Sequence, residues 1–151
     1  MSIQSTAQKQ LESRLPKVID ARTHGIIDYC HAAFFLGMAW FCRKSNRPAA
    51  LASLITGSFI LAESLLTDYP LGAFKVIPFG THGRMDTGFA ASSPIMPRLF
   101  GFGGTPAARV FQGNGLMEAA VVGMTDFSSE RAHAESGRAH TQVERAHAEA
   151  A

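Results

Sequence analysis

The segments THGIIDYCHAA (residues 23–33) and THGRMDTGFAA (residues 81–91) share one Thr-His-Gly-x-x-Asp frame, and each leads into a long apolar stretch. Subtracting 58 maps Thr81, His82, Gly83 and Asp86 onto Thr23, His24, Gly25 and Asp28 without a gap. The same offset pairs Pro-Ala-Ala at 106–108 with 48–50, Gly115 with Gly57, and Thr-Asp-Phe at 125–127 with Thr-Asp-Tyr at 67–69. Over positions 23–69 there are 14 identities in 47 aligned pairs, where ordinary residue frequencies give ~3. The chain is therefore an internal duplication. Whatever one half is, the other half is too.

The first half is the easier to read. PAALASLITGSFILA (residues 48–62) has no charge on any face, whereas a helix in a small soluble bundle keeps a polar stripe toward water. Extended through Thr67 it is a helix of about 30 Å, enough to cross a bilayer. Ile26 to Cys42 is a second apolar helix, closed by the RKSNR cluster at 43–47. Met85 to about Phe102 and Pro106 to Thr125 are less apolar, because they carry Pro94, Pro97, Arg98, Arg109, Gln112 and Asn114. The repeat makes them a second hairpin.

The expected architecture is all-α: an integral membrane four-helix bundle made of two tandem pseudo-symmetric helical hairpins. Residues 1–22 form a basic N-terminal arm whose Leu11, Leu15 and Val18 have amphipathic-helix spacing. Residues 23–69 are the first hairpin, 70–80 a connecting loop, 81–127 the second hairpin and 128–151 a polar tail. The arm lacks the apolar core of a secretory signal. Two helices per half return the chain to its starting side, so both termini share one face, which is read as cytoplasmic. On that face gather His24, Asp28, Asp68, His82, Asp86 and Asp126. Arg43, Lys44, Arg47, Arg98 and Arg109 lie at the opposite end. Small residues at four-residue spacing, Ser53 and Gly57, then Gly115, Ala119 and Gly123, suit close helix approach.

With SLLTDYPLGAFKVIPFGTHGRMD (64–86) and AASSPIMPRLFGF (90–102), the repeat resembles the SPW-repeat family of small bacterial membrane proteins. The likeness covers roughly residues 20–127. It departs where IMPR follows Ser93 and Pro94 with no tryptophan, and where the first repeat has FLGMAWF with no Ser-Pro. The resemblance implies two helical hairpins in a bacterial inner membrane, multi-pass, and carries no established activity with it.

His and Asp at i, i+4 share a helix face. Three readings compete for the polar cluster: an interhelix clamp with capping, which ranks first, then a transition-metal site, then a proton or substrate site. The intramembrane carboxylates Glu63 and Glu118 are not repeat mates and are expected to face the bundle interior. His31, whose mate is Phe89, reads as a packed helix residue rather than a haem ligand. No motif calls for a cofactor, with metal and haem open as alternatives. Cys30 and Cys42 are too far apart along one helix for a disulfide. GFGG (101–104) lacks the Gly-Lys-Ser/Thr of a phosphate loop. A net charge of +2 without a basic stripe argues against nucleic acid, and no Ser-His-Asp or Cys-His arrangement is visible, so catalysis ranks below a non-enzymatic role. The tail repeats Arg-Ala-His every seven residues, placing His133, His140 and His147 about 10 Å apart on a helix, too far to chelate one ion. The functional expectation is a structural or accessory membrane protein. Its expected partners are the lipid bilayer and a larger complex or further copies of itself. The alternative is a transporter or a metal- or redox-binding protein that uses the His/Asp end.

Overall fold

A computed structural model of the chain describes residues 15–128 together with 137, 141 and 148. Leu11 of the N-terminal arm and the Arg-Ala-His repeats of the tail lie outside the described residues. Leu15 and Val18 are not helical.

The described residues are mostly helical. Asp20 caps the first helix, its carboxylate accepting from the Thr23 N–H at 2.7 Å. That bond holds the Asp20 carboxyl below the usual carboxylate range. Helix α1 (Ala21–Cys42) ends in the basic turn, and the Asn46 side chain then caps α2 (Arg47–Leu66), with Pro48 in its first turn. Thr67 leaves the helix in extended conformation and opens β1 (Thr67–Asp68), which pairs in parallel with β2 (Ile77–Pro78). Helix α3 (Phe79–Ser92) follows, then the single turn α4 (Met96–Leu99), then α5 (Pro106–Met124). Helices α1 and α2 are long and apolar enough to cross a membrane.

The third segment differs from its expected span. It starts at Phe79, not near Met85, and breaks after Ser92. Pro94 explains the break, because it has no N–H to give the Ala90 carbonyl. The early start has a symmetric cause. Ile77 pairs with Thr67, and Ile19 makes a parallel bridge to Thr125. Since 19 and 77 are again 58 apart, and Lys17-Val18-Ile19 matches Lys75-Val76-Ile77, the repeat begins six residues before the Thr-His-Gly frame. Each half's leading isoleucine binds the terminal threonine of the other half, which closes the chain into a two-fold ring.

Within each half the helices meet at a glycine. A Cβ on Gly57 would lie 2.9 Å from the Leu36 nitrogen and 3.0 Å from the Ala32 carbonyl oxygen. On Gly115 it would lie 2.8 Å from the Ala90 carbonyl oxygen and 2.7 Å from the Pro94 ring. Ala32 and Ala90, like Leu36 and Pro94, are repeat mates, so both hairpins use the same close approach. A core of Phe35, Phe89, Phe102, Phe111 and small alanines fills the basic end. Ala21, Tyr69 and Phe79, with Leu71 and Phe127, form a smaller core at the other end. Phe34, Trp40, Phe41, Leu51, Leu54 and Leu116 are exposed, Phe41 at 81% and Leu116 at 77%.

Candidate functional site

His24 and Asp28 from α1 and His82 and Asp86 from α3 meet on the pseudo-two-fold axis between the hairpins. All four are buried, both histidines completely. The two Nε2 atoms are 3.0 Å apart. Asp86 Oδ2 lies 3.2 Å from His24 Nε2 and 3.1 Å from His82 Nε2. Asp28 straddles the pair from its own helix, with Oδ1 3.4 Å from His24 Nε2 and Oδ2 3.3 Å from His82 Nε2. The ion pairs that Asp28 and Asp86 make among the described residues are with these histidines, not with Lys or Arg.

The outer nitrogens are held by threonines. His24 Nδ1 is 2.9 Å from Thr125 Oγ1, and His82 Nδ1 is 2.8 Å from Thr67 Oγ1. Each threonine hydroxyl in turn lies 2.7 Å from a carbonyl four residues back, Val121 and Glu63 respectively. Extended backbone turns alternate side chains to opposite sides, so when the threonine faces the histidine the following aspartate does not. Asp68 instead pairs with Lys75 at 3.6 Å, and Asp126 accepts from the Ser128 N–H. Thr67 and Thr125 were the residues that reading the sequence for charge passes over. Their signal was their identity between the halves.

The glycine after each histidine has an equally local cause. A Cβ on Gly25 would sit 2.7 Å from the Tyr69 ring, and one on Gly83 would sit 2.7 Å from the Phe127 ring. The Thr-Asp-aromatic motif therefore closes over the His-Gly motif of its own repeat. Phe79 and Phe127 contact His24 edge-on, and Tyr69 packs 5.8 Å from His82, so aromatic rings separate the cluster from water. Burial pushes the Tyr69 phenol above its usual range, which keeps it a neutral donor to Asp28 Oδ2 at 3.4 Å.

Glu63 and Glu118 are both buried. Glu63 Oε1 has no hydrogen-bond partner and lies 3.5 Å from His82 Nδ1. Glu118 lies 3.3 Å from His31 Nδ1, while His31 Nε2 bonds Asn114, which in turn donates to Ser93 Oγ. His31 and Asn114 floor a groove of about 450 Å³ between α1 and α5. Its symmetry counterpart between α2 and α3, about 370 Å³, has Phe89 and Thr56 at the matching positions. Asn114 was not singled out from the sequence. It marks this second polar array, which the α1–α5 seam possesses and the α2–α3 seam does not. Cys30 and Cys42 are free thiols.

Among the described residues one set, His24, His82 and Asp86, brings imidazole and carboxylate ligand atoms all within 4.8 Å of one another, the spacing a metal ion needs. Chemically the cluster offers two imidazoles and two carboxylates in a dry, two-fold environment. Searches of protein-family models, of curated proteins and of solved structures find no match for this chain.

Proposed function

We propose that the protein is a small multi-pass integral membrane protein of structural or accessory kind, built from two pseudo-symmetric hairpins and working as a homo-oligomer or as a subunit of a larger membrane complex. The observation that carries this reading is the apolar outer surface. Phe34, Trp40 and Phe41 on α1, Leu51, Leu54 and Phe59 on α2, and Leu116 and Met117 on α5 all face outward, more exposed large apolar surface than water favours. His24, Asp28 and His31 of α1, Glu63 of α2 and Asn114 and Glu118 of α5 turn inward, as ionisable and amide side chains do in a bilayer, while Ser58 of α2 and Arg109 and Gln112 of α5 stay exposed. Helix α5 spans about 28 Å, and α3 about 21 Å before the Pro94 break. The SPW-repeat resemblance and an inner-membrane location belong to the same proposal.

Reporter fusions at Ser45 and at the C-terminus test the topology. Opposite compartments are expected for the α1–α2 turn and the C-terminus, and the same compartment for both refutes the two-hairpin arrangement. Purification in mild detergent then reads the assembly state. Migration with a larger species supports the accessory role, and a strictly monomeric chain refutes it. The alternative of a metal-binding membrane protein is favoured by one specific observation, the arrangement around the two histidines.

A further inference from the structure

The two histidines pose a question of where the protons sit at the centre of the cluster. Their Nε2 surroundings match and their Nδ1 surroundings differ only by Glu63, which lies 3.5 Å from His82 Nδ1 and whose repeat mate is Val121: each Nδ1 faces a threonine hydroxyl, and each Nε2 faces the other Nε2 and the same two aspartates. If both Nε2 atoms are bare, two lone pairs confront each other at 3.0 Å. If both carry hydrogen, two N–H groups do so. If one of each is present, one Nε2–H donates to the other Nε2, and two rings with the same Nε2 neighbours are held in different states. The threonines suggest which state is built in. Each hydroxyl lies 2.7 Å from the carbonyl four residues back, and donating there leaves its oxygen to accept the Nδ1–H of the histidine. Both Nε2 lone pairs then point into the centre, beside two carboxylates that no Lys or Arg among the described residues balances.

We propose that His24 Nε2, His82 Nε2 and Asp86 Oδ2 bind one divalent first-row transition-metal ion on the two-fold axis, with Asp28 as the adjoining carboxylate. The distances agree with this. Ligands about 2.0–2.1 Å from an ion are about 3.3 Å apart at tetrahedral angles and about 2.9 Å at right angles. The observed edges of 3.0, 3.1 and 3.2 Å fall in that interval. They are long for charge-assisted hydrogen bonds, which run about 2.7–2.9 Å. Two imidazoles select a transition ion over calcium or magnesium. One dication also balances the two buried carboxylates. The outer-sphere elements of a metal site are present: Nδ1–H groups held by Thr67 and Thr125, the Tyr69 phenol on Asp28, and Glu63 with its unpartnered Oε1 beside His82 Nδ1. The site does not depend on whether the helices lie in a membrane.

The test uses the full chain in mild detergent, with the tail substitutions H133Q, H140Q and H147Q so that those imidazoles contribute nothing. Protein stripped with a chelator is titrated with Co²⁺, followed by visible absorption, and then with Zn²⁺ in competition. One equivalent per chain is expected, with visible bands of nitrogen and oxygen ligation that Zn²⁺ abolishes. Asp86→Asn should weaken binding by at least about a hundredfold, and Thr67→Val, which leaves every proposed ligand in place, by about ten- to a hundredfold, with recovery in Thr67→Ser. His31→Gln, outside the cluster, should bind like the parent. Helical circular dichroism shows which variants fold. Should Asp86→Asn fail to fold, Thr67→Val carries the comparison. A folded parent that takes up no Co²⁺ or Zn²⁺ overturns the proposal, as does undiminished binding in folded Asp86→Asn or Thr67→Val. A monomeric protein that binds one equivalent would instead remove the accessory reading and leave the site standing.

Discussion

Two glycines on one helix, Gly113 and Gly115, should respond to alanine in opposite directions. In a helix interior Gly→Ala gains roughly 0.8–1 kcal/mol from backbone propensity alone. At Gly113 nothing lies within 4 Å of the added Cβ, so that gain should appear undiminished. At Gly115 the same methyl meets the Ala90 carbonyl oxygen at 2.8 Å and the Pro94 ring at 2.7 and 2.8 Å. None of these is the free end of a flexible side chain. Relief requires α3 and α5 to separate, and overpacking of this kind costs about 1–3 kcal/mol. The propensity term is common to both variants and cancels in their difference, so Gly115→Ala should be less stable than Gly113→Ala by about 1–3 kcal/mol. Unfolding in detergent by heat or by added SDS, followed by helical circular dichroism, measures that difference directly. Equal stability would mean that the second hairpin does not close at Gly115. The placement of His82 and Asp86 opposite His24 would then lose its structural basis.

Further outcomes follow from the site and the caps. Chelation should lower the melting temperature of the parent but not of Asp86→Asn, since a ligand at a hundredfold excess over Kd contributes about 2.7 kcal/mol to the folded state. Asp28→Asn and Asp28→Ala should be equally damaging if the carboxylate charge serves a metal. A clearly milder Asn variant, measured the same way, would favour a hydrogen-bonded clamp. His31→Phe alone should destabilise by about 3–5 kcal/mol because it strands the Glu118 carboxylate, and adding Glu118→Ile should recover most of that by copying the Phe89 and Ile60 mates, a coupling that a double-mutant cycle reads out. Asp20→Ala should cost about 0.5–2 kcal/mol at neutral pH. Because folding lowers the Asp20 pKa, the stability it confers is present above the unfolded carboxyl value and is lost as pH falls through the folded one. Melting curves of the parent and Asp20→Ala should therefore converge in acid.

What could be read beforehand was whatever the duplication recorded. The offset of 58 placed His24, Asp28, His82 and Asp86 at one end and paired the two hairpins, and the structure brings those four side chains together. The Gly57 and Gly115 approaches were legible as small residues at helical spacing. Three features were not. The triplet Lys17-Val18-Ile19 recurs as Lys75-Val76-Ile77, but three unmatched pairs, Asp20 against Pro78, Ala21 against Phe79 and Arg22 against Gly80, separate it from the Thr-His-Gly frame, so a count begun at Thr23 left out their strand pairing. The break at Pro94 has no counterpart in the first repeat, where Leu36 continues the helix. Thr67 and Thr125 were visible as repeated residues but were overshadowed by the charged Asp68 and Asp126 beside them. Charge suggested the ring would close through the aspartates, whereas backbone alternation after the helix end gives that position to the threonines.

The pattern of kept and changed residues follows from distance to the two-fold axis. A side chain on the axis touches its own repeat mate, as His24 touches His82, so a change in one half must be accommodated by the same position in the other half. Off the axis the two seams are free to diverge, provided each remains filled. Phe35 and Phe111 pack against each other at 5.1 Å between α1 and α5, while their mates in the other seam are Ser93 and Ser53. His31, Asn114 and Glu118 form a hydrogen-bonded array where the mates are Phe89, Thr56 and Ile60. Within one chain, large aromatic pairs have been set against small polar ones, and a polar array against an apolar one. The axial histidines, aspartates, threonines and glycines have stayed alike through all of it. A clamp that only joined two hairpins could be replaced on the axis by matched apolar side chains changed together in both halves, which is often neutral or stabilising. Retention of two imidazoles and two carboxylates in a dry centre, where each costs several kcal/mol to bury unpaired, is what a shared central ion requires of both halves at once.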